Sequence, residues 1–237
     1  MILTCSHRFH TVFGADLQLS TSKDWLNCQA QHLCALQSHL DELTPIVILG
    51  AGGHAKACID VIESTGKYEI IGLTGKVDEI GSSVLGYPVL GSDDKLGELR
   101  SSVECLAIGL GQFRSSELRE KLYYKAIGLG YELPTIASPF AVVSNHSDIG
   151  QGTIIFHGAI INAKASIGIC NIINSKALIE HDVTVGDFCH ISTGVIVNGA
   201  SIVGARSFVG SGSVVVNNIE IAGRSFIKSG SRVDVNT

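Results

Sequence analysis

A chain of 237 residues, 45% of them hydrophobic, is long enough for two small domains and a sizeable core. No apolar run approaches the roughly 20 residues that cross a bilayer, and the apolar stretch from Met1 to Phe13 is broken by Ser6, His7, Arg8 and His10, so neither membrane insertion nor a secretory leader is expected. The net charge of −5 with scattered Lys and Arg excludes a nucleic-acid partner, and seven cysteines without a CxxC or a regular framework point to reduced thiols and a cytoplasmic location.

Residues 1–44 form a leader. Within it Trp25 to Leu43 has helical spacing, with Leu26, Leu33 and Leu40 seven apart and Leu36 and Leu43 adding a second stripe. Two readings stand side by side: an amphipathic docking helix, or a segment preceding a true start near Leu43. Pro45 ends the leader.

Residues 45–140 read as a small α/β unit, a truncated nucleotide-binding fold. The apolar strand Ile46 to Leu49 runs into Gly50-Ala51-Gly52-Gly53-His54 and then a helix through Ala57 to Ser64. Further strands are expected at Tyr68 to Leu73 and at Val103 to Ile108, the latter leading into Gly109 and Gly111, with a second helix at Glu117 to Leu129. Strand, glycine turn, helix, strand is the βαβ pattern. Tyr131 to Val142, with Pro134 and Pro139, reads as the link from this unit into the C-terminal domain.

Residues 141–237 carry a different signal. An Ile or Val stands at every sixth position from Val143 through Ile149, Ile155, Ile161, Ile167, Ile173 and Ile179 to Val233, sixteen times in succession. A period of six fits neither a helix nor a simple strand. Four residues after most of these positions the side chain is small, as at Thr153, Ala159, Ala165, Ala177, Ser201, Ser207 and Ser213, while Asn171 and Ile219 break the rule. The pattern predicts a triangular prism in which each hexapeptide makes one flat strand and one corner. Residues 18 apart then stack by parallel pairing at roughly 4.8 Å, giving about five coils.

Two sets of residues have the makings of a site. The turn Gly50 to His54 follows a strand and opens a helix, where backbone N–H groups receive a phosphate; a tight βα turn that binds nothing is the alternative. His181 lies two residues past the inward Ile179, which directs it outward or along a corner. Its neighbours Glu180 and Asp182 are carboxylates, which hold an imidazole tautomer and suit a general base near neutral pH. His190 follows nine residues on, half of an 18-residue coil, so the two histidines face different sides and share a pocket only in an oligomer. His146 and His157 also lie in the repeats, but no His-x4-His pair accompanies them, and no metal is expected.

The glycine-turn unit, the uninterrupted hexapeptides and the run Asn174-Ser175-Lys176-Ala177-Leu178-Ile179-Glu180-His181-Asp182 resemble the hexapeptide-repeat sugar acetyltransferases of the bacillosamine-pathway type, relatives of the sialic-acid O-acetyltransferases. The resemblance covers about 190 residues from Pro45 onward. It implies a left-handed parallel β-helix, a homotrimer, and acetyl-CoA as co-substrate without a metal. It also implies N-acetylation of a nucleotide-linked 4-amino sugar for surface glycan biosynthesis, of the lipopolysaccharide kind. Carried onto this chain, it makes His181 the base, assisted by Asp182, and lets Asn174 hold the acceptor sugar. Gly52, Gly53, His54 and Gly109 would contact the nucleotide sugar; His190 would donate to the thioester carbonyl, and Gly199, Ser211 and Ser229 would line the coenzyme groove.

Two departures accompany the resemblance. The family has acidic residues after the second strand that read the nucleobase, where this chain has Thr74 and Gly75. Relatives end in a Gly-x-Pro-Ala-Lys-like tail, whereas Val233-Asp234-Val235-Asn236-Thr237 stands here, from which weaker coenzyme affinity or a truncated gene is expected. O-acetylation of a sialic-acid-like sugar is the competing enzymatic reading. A non-catalytic β-helical nucleotide-sugar sensor is the reading from another class.

Overall fold

The computed structural model describes residues 43–237. The leader reading for residues 1–42, with its Leu26–Leu33–Leu40 stripe, lies outside them.

The first part is a five-stranded sheet built from β1 (Thr44–Leu49), β2 (Tyr68–Thr74), β3 (Ser83–Val84), β4 (Tyr87–Gly91) and β5 (Cys105–Ile108), in the order β3-β4-β2-β1-β5. All neighbours are parallel except β3 and β4, a hairpin closed by Leu85-Gly86, both with positive φ. Ile46 to Leu49 are fully buried, because β1 is central and covered on both faces. Helix α1 (Gly53–Thr65) ends at Gly66, whose φ of 63° is the left-handed cap that glycine adopts without steric cost. The short α2 (Leu96–Leu99) and the longer α3 (Glu117–Gly128) follow β4 and β5 respectively. Since β1 pairs with β2 on one side and β5 on the other, the connections diverge at β1. The crevice beyond the ends of β1 and β5 is where open α/β sheets bind ligands.

The second part is the prism, a left-handed parallel β-helix of two-residue strands arranged in three sheets. Partners are 18 residues apart: Ile155, Ile173, Ile191, Val209 and Ile227 pair in succession. The inward Ile and Val side chains form one continuous core. At each corner from 152 to 230 the residue three past the inward position has positive φ, filled by glycine at 152, 158, 194, 212 and 230 and by other residues at Lys164, Cys170, Lys176, Asp182, Phe188, Ala200, Arg206, Asn218 and Arg224. The next residue turns back inside, which is why it is small. Ser201, Ser207 and Ser213 are fully buried there, and each donates its hydroxyl to a carbonyl of the following coil, at 2.7, 3.1 and 2.9 Å. Asn171 breaks the size rule by the same logic: its Oδ1 accepts from Cys189 N–H at 2.6 Å and its Nδ2 donates to Gly168 O at 2.8 Å.

The three faces differ in what they present outward. The first, with Ile136, Ile154, Ile172, His190, Phe208 and Phe226, packs against the α/β sheet: Ile136, Ile154, Phe156 and Ile172 share a core with β1 and α1. The second carries an apolar row, Val142, Ile160, Leu178, Ile196 and Val214. The third is mostly polar, with Asp148, Ser166, Thr184, Ile202 and Glu220. The first face opens with Ile136–Ala137, inside the stretch read from sequence as a link. Thr237 and Asn236 fold back to bond with Ala222 and Glu220, covering the last strand of the third face. Among the described residues no helix is long and apolar enough to cross a membrane, and no group of three His, Cys, Asp or Glu side chains is placed to hold a metal ion.

Candidate active site

Beyond the ends of β1, β2 and β4 lies a cleft of about 400 Å³, walled by Gly50, Ala51, Gly52, Gly75, Leu110 and Leu118 together with Lys76, Lys121 and Lys125 and the acids Glu79, Asp93 and Asp94. Gly52 is the N-cap of α1. Gly52 and Gly53 open the helix, where the first main-chain N–H groups lack helical partners and can receive a phosphate; an added Cβ at either would meet open space, so neither position needs glycine for room. Gly109 answers to packing: a Cβ there would stand 2.5 Å from Ile48 Cγ2 and 3.3 Å from Ala55 Cβ.

On the other side of the glycine turn, buried polar residues join the α/β unit to the first prism face. His190 Nδ1–H donates to the main-chain carbonyl of Gln112 at 2.5 Å, and its Nε2 accepts from Asn174 Nδ2 at 3.2 Å. The Asn174 amide is oriented by its own Oδ1, which accepts from Ser175 N–H at 2.8 Å. Gln112 Nε2 donates to Phe188 O at 2.9 Å, tying the loop after β5 to a prism corner. Burial, reinforced by the Arg119 charge, holds His190 down at about 4 despite the opposing Gln112 hydrogen bond. His54, packed on Phe156 and 6.3 Å from the His190 ring, is lowered to about 3 by burial and then by Arg119 and His190. Both imidazoles are therefore neutral at neutral pH.

Neutral His190 thus uses both ring nitrogens within the chain, Nδ1–H toward Gln112 O and Nε2 toward Asn174 Nδ2. Among the described residues three polar atoms of this cluster are buried without a hydrogen-bond partner: His54 Nε2, Gln112 Oε1 and Arg119 Nε. Arg119 underpins the cluster. Fully buried on α3, it donates to Ile108 O, Leu110 O and Cys170 O, clamping the end of β5 to the prism. Neither Gln112 nor Arg119 carries a motif; only the glycines around the β5 loop mark the place in the sequence.

His181 stands on a different corner, between the second and third faces, with 63% of its side chain exposed. Its Nδ1–H donates to Asp182 Oδ2 at 2.8 Å, which leaves Nε2 as the lone pair of the ring. Glu180 takes no part in holding the imidazole: its carboxylate accepts from Asn162 Nδ2 of the preceding coil at 2.9 Å and from the His181 main-chain N–H at 3.4 Å. Gly199, one coil on, lies against the imidazole. Thus His181, Asp182 and Gly199 come together on one corner. Asn174 lies on the corner between the first and second faces, as do the exposed Ser211 and Ser229, with Ser211 Oγ 2.8 Å from Ser192 Oγ. The two corners flank the apolar second face.

Residues 45–126 match the family model of the PglD N-terminal domain. The structure is similar to that of a variant of perosamine N-acetyltransferase from Caulobacter crescentus in complex with CoA and GDP-perosamine, at 32% identity over 82% of this chain and 90% of that one, with a TM-score of 0.77. It is also similar to the acetyltransferase domain of PglB from Neisseria gonorrhoeae in complex with acetyl coenzyme A, at 26% identity over 81% and 93% of the two chains, with a TM-score of 0.74. WeeI from Acinetobacter baumannii, 18% identical over 80% and 96% of the chains with a TM-score of 0.55, shares the fold. No curated protein sequence matches the chain. A glycine-turn α/β unit docked on a hexapeptide prism defines a class of acyl-transferring enzymes. The chain belongs to the hexapeptide-repeat sugar acetyltransferases.

Proposed function

We propose that this enzyme transfers the acetyl group of acetyl-CoA to the amine of a nucleotide-linked amino sugar, as an N-acetyltransferase of surface glycan biosynthesis. The observation that carries the reading is the His181–Asp182 pair at the exposed corner, with Nδ1–H fixed by the carboxylate and Nε2 left to accept a proton. The amine attacks the thioester carbon while His181 Nε2 takes its proton; the C–N bond forms, the C–S bond breaks, and the coenzyme leaves as thiolate to be protonated. A free amine needs no covalent enzyme intermediate. The N-terminus of α1 at Gly52 and Gly53 suits the diphosphate of the sugar nucleotide, and Lys76 and Lys121 stand in the same cleft to meet its charge. The relatives bound to CoA with GDP-perosamine and to acetyl coenzyme A support both substrates.

The active form in this reading is a homotrimer. Its support is the apolar second face, flanked by one corner with His181 and another with Asn174, Ser211 and Ser229. A neighbour seated on that face brings one chain's His181 to the other's hydroxyl-rich corner. The coenzyme then lies between subunits, against Gly199 of one and Ser211 and Ser229 of the next. Within each chain, neutral His190 orients Asn174 toward the acceptor sugar.

Thiol release from acetyl-CoA with a panel of UDP- and GDP-linked amino sugars tests the activity. His181→Ala is expected to lower turnover about 10²- to 10⁴-fold with the melting temperature nearly unchanged, since the side chain is exposed. Wild-type turnover in that variant would make His181 a bystander and sink the mechanism.

A further inference from the structure

In open α/β folds a carboxylate at the end of the second strand, about 20 residues past the glycine turn, receives ribose hydroxyls. Here that strand ends in Thr74 and Gly75, yet the fold brings a carboxylate to the same place from elsewhere. Thr74, fully buried, donates its Oγ1 hydrogen to Asp93 Oδ1 at 2.6 Å, anchoring an acid that follows β4 at the tip of β2. The other two acids of the cleft are committed differently. Glu79 Oε2 accepts from Lys76 N–H at 2.8 Å, bracing its own short turn. Asp94 meets Lys125 at 3.4 Å and its side chain is 94% exposed. Lys125 also donates to the Asp93 main-chain carbonyl at 2.8 Å, which fixes the backbone of Asp93, and among the described residues no cation is paired with its carboxylate.

We infer that Asp93 replaces the missing β2-end acid and receives the 2′- and 3′-hydroxyls of the ribose of a nucleoside diphosphate whose phosphates lie at Gly52 and Gly53. This rests on reading the cleft as the nucleotide-sugar site. The chemistry is a match of donors to acceptor: a vicinal diol offers two adjacent O–H groups, and a carboxylate anchored through one oxygen still has lone pairs for both. The buried Thr74 hydroxyl keeps that carboxylate from swinging away. Thr74, which stands where the family's nucleobase-reading acids are expected, here positions a carboxylate for the ribose.

The test is calorimetric titration of the full chain with GDP, UDP and their 2′-deoxy counterparts, on wild type, Asp93→Asn and Thr74→Val, with melting temperatures as the check on folding. For both bases the wild type is expected to prefer the ribose form by about tenfold or more, the scale of a hydrogen bond to a charged group. Asp93→Asn should erase the preference and weaken ribose-form binding about tenfold; Thr74→Val should weaken it by less. Equal affinity for ribose and 2′-deoxy forms, or no binding of any of the four, overturns the assignment. A loss in Asp93→Asn confined to GDP, without discrimination at the 2′ position, moves Asp93 to the base edge and also overturns it. Thiol release with amino-sugar acceptors is read separately, so acetyl transfer without ribose discrimination defeats this inference and leaves the proposed function standing. Ribose discrimination without acetyl transfer does the reverse.

Discussion

Gly199 lies directly against His181: a Cβ at position 199 would come within 2.8 Å of imidazole Cε1 and 3.0 Å of Nε2. The glycine is thus the floor on which the ring rests. Gly199→Ala is expected to push the imidazole off its 2.8 Å contact with Asp182 and lower kcat about 10²-fold, the cost of roughly 1 Å of misplacement. The KM for the sugar nucleotide should barely move, because the glycine-turn cleft is untouched. Steady-state kinetics on thiol release would show this, and unchanged kcat would mean the ring has room to spare.

The buried histidines make acid stability a direct readout of the cluster between the two parts of the chain. His54 and His190 are neutral in the fold, with values of about 3 and about 4, whereas in the unfolded chain each protonates near 6.5. Their contribution is present in full above about pH 6.5 and drains as pH falls toward the folded values, because the unfolded state binds more protons across that window. Each group costs about 1.4 kcal/mol per pH unit crossed. Melting temperatures of wild type and His190→Gln from pH 7 to pH 4 should diverge in slope, the variant losing stability less steeply. Parallel curves would place the acid sensitivity in the carboxylates alone.

Arg119 is buried and bonded to carbonyl oxygens. Arg119→Ala is expected to cost about 3 kcal/mol, on the order of 1 kcal/mol for each buried acceptor left unsatisfied, because it strands the carbonyls of Ile108, Leu110 and Cys170 and unclamps α3 from the prism. Arg119→Lys, which can satisfy some of them, should cost less. Urea midpoints at constant m-value decide this, and a near-neutral Arg119→Ala would show that water replaces the guanidinium.

For the second prism face, light scattering at micromolar concentration should give three times the 25.0 kDa chain mass. Ile160→Lys, which places a charge in the apolar row, should yield folded monomers with activity lost. A wild-type monomer that is fully active would rule out a site shared between subunits.

The prism was legible in the sequence because its two determinants, an inward aliphatic every six residues and a small residue four later, are local and repeat. The corner serines show why size mattered: Ser201 and Ser213 donate inward to Val216 and Lys228, where there is no room for more. The central strand and helices of the α/β unit were also visible, β1 as an apolar run and α1 from its glycine turn. The β3–β4 hairpin was not, since Ser83–Val84 is two residues long and Pro88 disguises its partner strand. Gln112 and Arg119 are not legible in the sequence, because their partners Phe188 and Cys170 are 76 and 51 residues away. Glu180 looked equivalent to Asp182 in the sequence. Only the stacking of Asn162 over it, 18 residues earlier, shows that it braces the backbone and leaves the imidazole to Asp182.

The left-handed residue at every described corner from Gly152 to Gly230 has a consequence for how such a chain can change in length. Inserting or deleting one residue within the prism would put a side chain meant for the interior into water, and would move every later left-handed corner onto a residue not chosen for it. A loss or gain of 18 residues shifts nothing: inward positions, corners and faces all return to register one layer along. Growth and shrinkage by whole turns of the prism are thus the changes in length that the architecture tolerates without repacking, and a tandem duplication of residues 196–213 should lengthen the prism while the histidine corner keeps both flanking coils, at Ala163 and at Gly199.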